Sequence, residues 1–179
     1  MKKLHLGCGE KFIPGWEHVD AKPFPHIDVV ADVADLSMYQ GGSADLIYAC
    51  HVLEHFGRNR YKDVLEEWYR VLAPGGVLRL AVPDFSAVYA EYAKGRPLQD
   101  LLSLLVGGQK DEHDFHYMVF DYDHLVSSLT AIGFHQVSRY DWWKTEHADM
   151  DDYSQAYLPH MNNKNGRLMS LNVEAKKPN

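Results

Sequence analysis

Apolar positions along the chain follow two rhythms. Short runs at Lys3–Leu6, Trp16–Asp20, Ile27–Ala31, Asp45–Cys50 and Val77–Val82 have the length and branching of strands, with fainter candidates at Gln136–Tyr140 and Leu168–Glu174. Arg60–Leu72 instead repeats with a helical period, which places Tyr61, Val64, Leu65, Trp68, Val71 and Leu72 on one face. Ala73-Pro74-Gly75-Gly76 stops that helix and turns the chain into the next strand. Asp84 caps a helix through Lys94 that Gly95 closes, and Pro97 opens another through Val106, closed by Gly107-Gly108. Asp121 or Asp123 caps a last helix through Ile132, ended by Gly133. Strands alternating with helices predict an α/β domain built on a mostly parallel sheet.

The rhythm fails once. Lys144 to Arg167 is a polar connection of 24 residues, and loops of that length in compact domains are functional or disordered. Its Asp149, Asp151, Asp152, Tyr153, Tyr157 and His160 make it a candidate lid or substrate loop. No repeat, low-complexity tract or linker divides the chain, so residues 1–179 are read as one domain.

Composition narrows the partners. Hydrophobic residues make up 46% and charged residues 24%, the balance of a globular, soluble chain. A net charge of −7 without a Lys/Arg cluster argues against nucleic acid. The longest strongly apolar run, Leu101–Val106, is too short for a bilayer, and Met1-Lys2-Lys3 leads into no signal-like stretch. Two cysteines, Cys8 and Cys50, make no disulfide framework. The expectation is a cytoplasmic protein with no membrane and no nucleic-acid partner; its oligomeric state is not readable.

In an open α/β sheet, ligands sit outside the carboxyl ends of the strands. The residues there are Gly7-Cys8-Gly9, Asp20, Asp32-Val33, Cys50-His51 and Pro83-Asp84. Glycines permit close backbone approach, Asp20 offers two acceptors to a ribose diol, and Asp32 offers an acceptor to an adenine amino group. Thirteen positions separate Gly7 from Asp20, against about 20 in the dinucleotide fingerprint, and Pro14-Gly15 interrupts them. The first helix is therefore expected to be short or missing, which argues against NAD.

The chain resembles the class I S-adenosylmethionine-dependent methyltransferases, in a compact subgroup of predicted enzymes. The resemblance rests on Leu6-Gly7-Cys8-Gly9, Val19-Asp20, Asp32-Val33-Ala34-Asp35-Leu36, Ala44-Asp45-Leu46-Ile47-Tyr48, His51-Val52-Leu53-Glu54-His55-Phe56 and Tyr69-Arg70-Val71-Leu72-Ala73-Pro74-Gly75-Gly76. Gly133-Phe134 is also similar to this family. It implies a Rossmann-like three-layer sandwich whose seven-stranded sheet ends in an antiparallel strand, Leu168–Glu174. It implies S-adenosylmethionine as cofactor, with Gly7 and Gly9 against its methionine part and ribose and Leu6 and Cys8 beside them. Asp20 would meet the ribose hydroxyls, Asp32 and Val33 the adenine, and Cys50 and His51 the methyl end.

Two further clusters carry chemistry. His51-Val52-Leu53-Glu54-His55 matches the H-x-x-E-H motif of zinc hydrolases. That reading needs both histidines on one helical face, whereas a strand runs into the motif and Gly57 follows it. Hydrogen bonds that seat the turn after the fourth strand are the plainer role for Glu54 and His55, so no metal is expected. His113, Asp114, His116 and Tyr117 form the second cluster, where an imidazole beside a carboxylate makes a good proton acceptor.

The expected activity is methyl transfer to an oxygen or nitrogen of a small polar acceptor, such as a sugar or metabolite. His116 is the first candidate base and His51 the second; His113, Asp114, Tyr117 and Tyr153 are candidate substrate contacts. A non-catalytic cofactor-binding or regulatory module is the alternative.

Overall fold

Leu4 and Leu6 are fully buried because the strand that carries them, β1 (Lys3–Leu6), lies near the middle of the sheet. The computed structural model describes residues 1–179. β2 (Glu17–Asp20) and β3 (Val29–Val30) extend the sheet on one side of β1. On the other lie β4 (Ala44–Cys50), β5 (Leu72–Pro83), β9 (Ser170–Lys176) and β6 (His135–Arg139), giving the order β3-β2-β1-β4-β5-β9-β6. All pairs from β3 to β5 are parallel, and β9 runs antiparallel to both β5 and β6. The seven-stranded, mostly parallel sheet with an antiparallel last strand is thus as expected.

The helices are α1 (Tyr61–Val71), α2 (Phe85–Ala93), α3 (Leu102–Val106) and α4 (Tyr122–Ile132). The apolar face of α1 buries Tyr61, Val64, Leu65, Trp68 and Val71, as its period requires. Trp68 Nε1 donates to Val33 O at 2.9 Å, which ties that helix to the loop after β3. Asp84 and Asp121 cap α2 and α4 through Ser86 N and His124 N. Gly133, at φ 117, ends α4.

No helix separates β1 from β2. Aromatic packing takes its place: Phe12 stacks on His18 at 5.1 Å, and Ile13 N donates to His18 Nε2 at 2.9 Å. Trp16, Tyr48, His5 and His147 continue this tiling.

Several boundaries differ from the pattern reading. β3 is two residues long, because only Val29 and Val30 pair with β2. β5 begins at Leu72, which pairs with Ala44; pairing resumes at Val77, so Pro74-Gly75-Gly76 is an irregularity inside a strand. The segment after Pro97 divides into a 3-10 turn, Leu98–Leu101, and the short α3. Residues 144–167 are not featureless. They hold a 3-10 turn at Tyr153–Gln155 and β7 (Tyr157–Leu158), which pairs with β8 (Arg167–Leu168). His147, Asp152 and Ser154 in this segment are buried. No helix is long and apolar enough to cross a membrane.

Candidate active site

A cleft of about 380 Å³ runs along the carboxyl ends of the parallel strands. Gly7 and Gly9 bring the chain out of β1 at φ 59 and 54, in the left-handed region that favours glycine. A Cβ on Gly7 would lie 2.5 Å from Val52 Cγ2, whereas a Cβ on Gly9 would meet nothing. The first glycine is thus required by packing, and the second leaves open space beside the cleft.

Asp20, at the end of β2, is nearly buried at 8% exposure. One carboxylate oxygen accepts from Gly9 N and the other from Lys22 N, both at 2.8 Å. Those bonds fix the carboxylate and leave each oxygen a lone pair. Asp32 and Val33 line the same cleft after β3. Asp32 Oδ1 accepts from Ala34 N at 2.9 Å, and the Val33 N–H has no protein partner. Lys22 reaches Asp111 at 2.7 Å and so joins the β2 side to the loop bearing Glu112 and His113, which also border the cleft.

The chain leaves β4 through His51, a non-glycine residue at φ 55. Backbone strain of this kind persists where surrounding structure enforces it, commonly at functional sites. Burial, then the charges of His116 and His55, push the His51 ring down to about 3, so it is neutral near pH 7. Its Nδ1 lies 3.3 Å from Glu54 Oε1, its Nε2 3.4 Å from Ser170 Oγ, and Tyr153 packs over it at 5.1 Å. Glu54 is fully buried, which raises its carboxyl to about 8. His55 lines the cleft, and its two ring nitrogens face Phe115 O and His51 O. His116 sits behind it, lowered by burial and then by His55.

A sequence profile described as a methyltransferase domain matches residues 15–80. No curated protein matches the chain. Among solved structures, an S-adenosylmethionine-dependent methyltransferase from Archaeoglobus fulgidus aligns with a TM-score of 0.63 at 15% identity, covering 98% of this chain and 86% of that one. One from Mesorhizobium loti gives 0.54 at 18% identity over 98% and 90%. The 1,6-didemethyltoxoflavin-N1-methyltransferase of Burkholderia thailandensis, solved with bound 1,6-didemethyltoxoflavin and S-adenosylhomocysteine, gives 0.58 at 15% identity over 99% and 71%. The profile over residues 15–80 and the shared fold make the chain similar to S-adenosylmethionine-dependent methyltransferases.

The residues of this cleft fit S-adenosylmethionine, the cofactor of the similar proteins. The open face at Gly9, the anchored Asp20 carboxylate and the unpaired Val33 N–H are what a ribose and an adenine need. When bound, the cofactor supplies a methyl group activated on a sulfonium.

Of the residues expected around it, Gly7, Gly9, Asp20, Asp32, Val33 and His51 border one cleft. Leu6 and Cys8 lie buried beneath the glycine turn, and Cys50 is not in the lining; burial pushes the Cys8 thiol up to about 12. His113 is on the rim, while Tyr117 is exposed on the same loop. Asp114 braces that loop by accepting from Gly108 N and Lys110 N. Tyr153 borders a second depression of about 340 Å³, away from His113. His116, the first candidate base, turns Nε2 toward Glu54 and is not in the cleft lining. The zinc-hydrolase geometry is absent, because His51 ends a strand and only Leu53–His55 makes a 3-10 turn.

Lys22, Phe24, Val52, His55, Phe56 and Glu112 also border the cleft and carried no signal of their own. Val52, His55 and Phe56 stood in one recognisable motif; His55 seats the turn as expected, whereas the Glu54 side chain forms no hydrogen bond.

Proposed function

We propose that the protein is an S-adenosylmethionine-dependent methyltransferase that transfers a methyl group to an oxygen or nitrogen of a small polar acceptor. Asp20 carries this reading. It is the one acid in the cleft with both oxygens pinned by backbone donors, at the strand end where the ribose of S-adenosylmethionine binds.

The acceptor enters beside Tyr153, between the cleft and the depression lined by Lys11, Tyr153 and His160. These rims and His113 offer hydrogen-bonding groups, and the net charge of −7 disfavours a phosphate backbone. Holding nucleophile and methyl group aligned supplies much of the acceleration. We assign orientation of the acceptor to His51, whose neutral ring lines the cleft with its Nδ1 3.3 Å from Glu54 Oε1. His116 acts through Glu54 as a positioning residue.

Calorimetry with S-adenosylhomocysteine tests the reading. Wild type binds, and Asp20→Ala weakens binding by about 100-fold, the loss of charge-assisted hydrogen bonds. Undiminished affinity in Asp20→Ala would overturn it. His51→Asn, which tolerates the left-handed backbone, lowers turnover across an acceptor panel and spares cofactor affinity. Cofactor binding with no acceptor methylated selects the non-catalytic module.

A further inference from the structure

One buried cluster lies outside everything the cofactor needs. Glu54 is 0% exposed, and neither of its carboxylate oxygens has a hydrogen-bond partner. Burying an acid this way is costly unless something completes it. His51 Nδ1 lies nearest, 3.3 Å from Glu54 Oε1, without forming a hydrogen bond to it, and the other polar groups do no better. His116 Nδ1 lies 3.2 Å from Leu104 O. Donating its proton there leaves Nε2 bare, 3.9 Å from Glu54 Oε1. His55 meets a carbonyl at each ring nitrogen, Phe115 O at 2.9 Å and His51 O at 3.1 Å. A neutral imidazole has one N–H, so one of those contacts sets lone pair against lone pair. No neighbouring group completes either oxygen of Glu54.

We propose that Glu54, His55 and His116 bind one divalent transition-metal ion in the wall of the cofactor cleft. Their ligand-capable atoms all lie within 4.8 Å of one another. Three ligands each about 2.1 Å from one ion lie roughly 3.4–3.6 Å from one another, so closure takes side-chain shifts of about an ångström. Two imidazoles and one carboxylate favour Zn²⁺, Mn²⁺ or Fe²⁺ over Mg²⁺ or Ca²⁺, which prefer oxygen. The ring N–H bonds to Leu104 O and Phe115 O are the outer contacts that orient metal-binding imidazoles. Three protein ligands leave open positions on the ion. Because His55 borders the cleft, those positions face it and suit an acceptor hydroxyl oxygen. This last role rests on the function proposed above; the ion site itself does not.

The test titrates Zn²⁺ by calorimetry, and Co²⁺ by visible absorption, into the metal-stripped full chain. One equivalent binds to wild type. Glu54→Gln and His116→Ala each weaken binding by about 100-fold or more, whereas His135→Ala, on the exposed edge strand β6, does not change it. Circular dichroism checks that each variant is folded. Glu54→Gln is isosteric, and His116 lies on a loop, so either variant alone suffices. A folded wild type without stoichiometric metal overturns the proposal. So does an ion that both variants retain, since other histidines would then hold it. S-adenosylhomocysteine titrated into the same preparations separates the two readings. Cofactor binding without metal binding overturns the ion site alone, and metal binding without cofactor binding overturns the proposed function alone.

Discussion

Asp152 and Glu54 are both buried beside the carboxyl end of β4, yet they are held in opposite ways. Asp152 accepts from Tyr48 OH at 2.5 Å, from Ser154 N at 2.9 Å and from Ser154 Oγ at 2.5 Å. Asn172 Nδ2, donating to Ser154 O at 2.8 Å, ties that turn to β9. Glu54 accepts nothing. The surroundings differ as well. The Asp152 segment is closed over the sheet by buried bonds, whereas the loop over Glu54 is clasped by the Lys22–Asp111 pair, both partners over 40% exposed. A buried acid supplied with donors is part of the framework. An acid left with bare lone pairs marks a place that something else completes.

The largest effect that sharpens this contrast is on stability. Asp152→Ala strips Tyr48 OH and Ser154 of their buried partner and costs about 3 kcal/mol by urea denaturation. Glu54→Gln breaks no hydrogen bond and stays within about 1 kcal/mol of wild type. Comparable losses in the two variants would erase the distinction.

A second effect belongs to the Tyr48 side alone. His5 and His147 pack on the Tyr48 ring at 5.2 and 4.3 Å. Burial, then the charge of His18, pushes His5 down to about 3. Burial, then Arg79, pushes His147 down to about 4. Both folded-state values lie below the unfolded 6.5. The unfolded chain therefore binds protons first as pH falls, and stability declines from pH 6.5 until the folded values are reached. Each group contributes a slope of up to about 1.4 kcal/mol per pH unit. His5→Phe removes one such slope, so its stability relative to wild type rises as pH falls from 6.5 toward 4. Parallel stability curves for the two proteins would contradict a buried, neutral His5.

The smallest effect concerns the clasp. An exposed ion pair is worth about 0–1 kcal/mol, so Lys22→Ala speeds S-adenosylhomocysteine dissociation by no more than about 5-fold at low salt. Stopped-flow rates measured in high salt converge, because screening already loosens the pair. A salt-independent difference would mean that Lys22 acts through another contact.

How far the sequence carried differs between these same regions. The strand–glycine–acid unit at Leu6–Asp20 and the face of α1 were readable because their contacts are local or periodic. The absent first helix was readable from Pro14-Gly15 and the short spacing to Asp20. The approach of His116 to Glu54 was not, since the two are 62 positions apart and meet only when the loop after α3 folds across β4. The Asp152 segment looked like a solvated connection, because a polar residue buried on a distant tyrosine has the same local pattern as an exposed one. The early start of β5 was hidden for a related reason. Pro74-Gly75-Gly76 is a breaker locally, and only the pairing of Leu72 with Ala44 makes it part of a strand.

The placement of β9 between β5 and β6 also has a consequence for how the chain folds. β9 lies later in sequence than both strands it separates, so β6 has no partner in the sheet until β9 arrives. The strands that carry the glycine turn and Asp20 pair among near neighbours and can assemble early. The far edge must wait for a long-range insertion, the kind of step whose loop-closure entropy slows folding. The half of the sheet that carries the cleft is thus also the half able to form first.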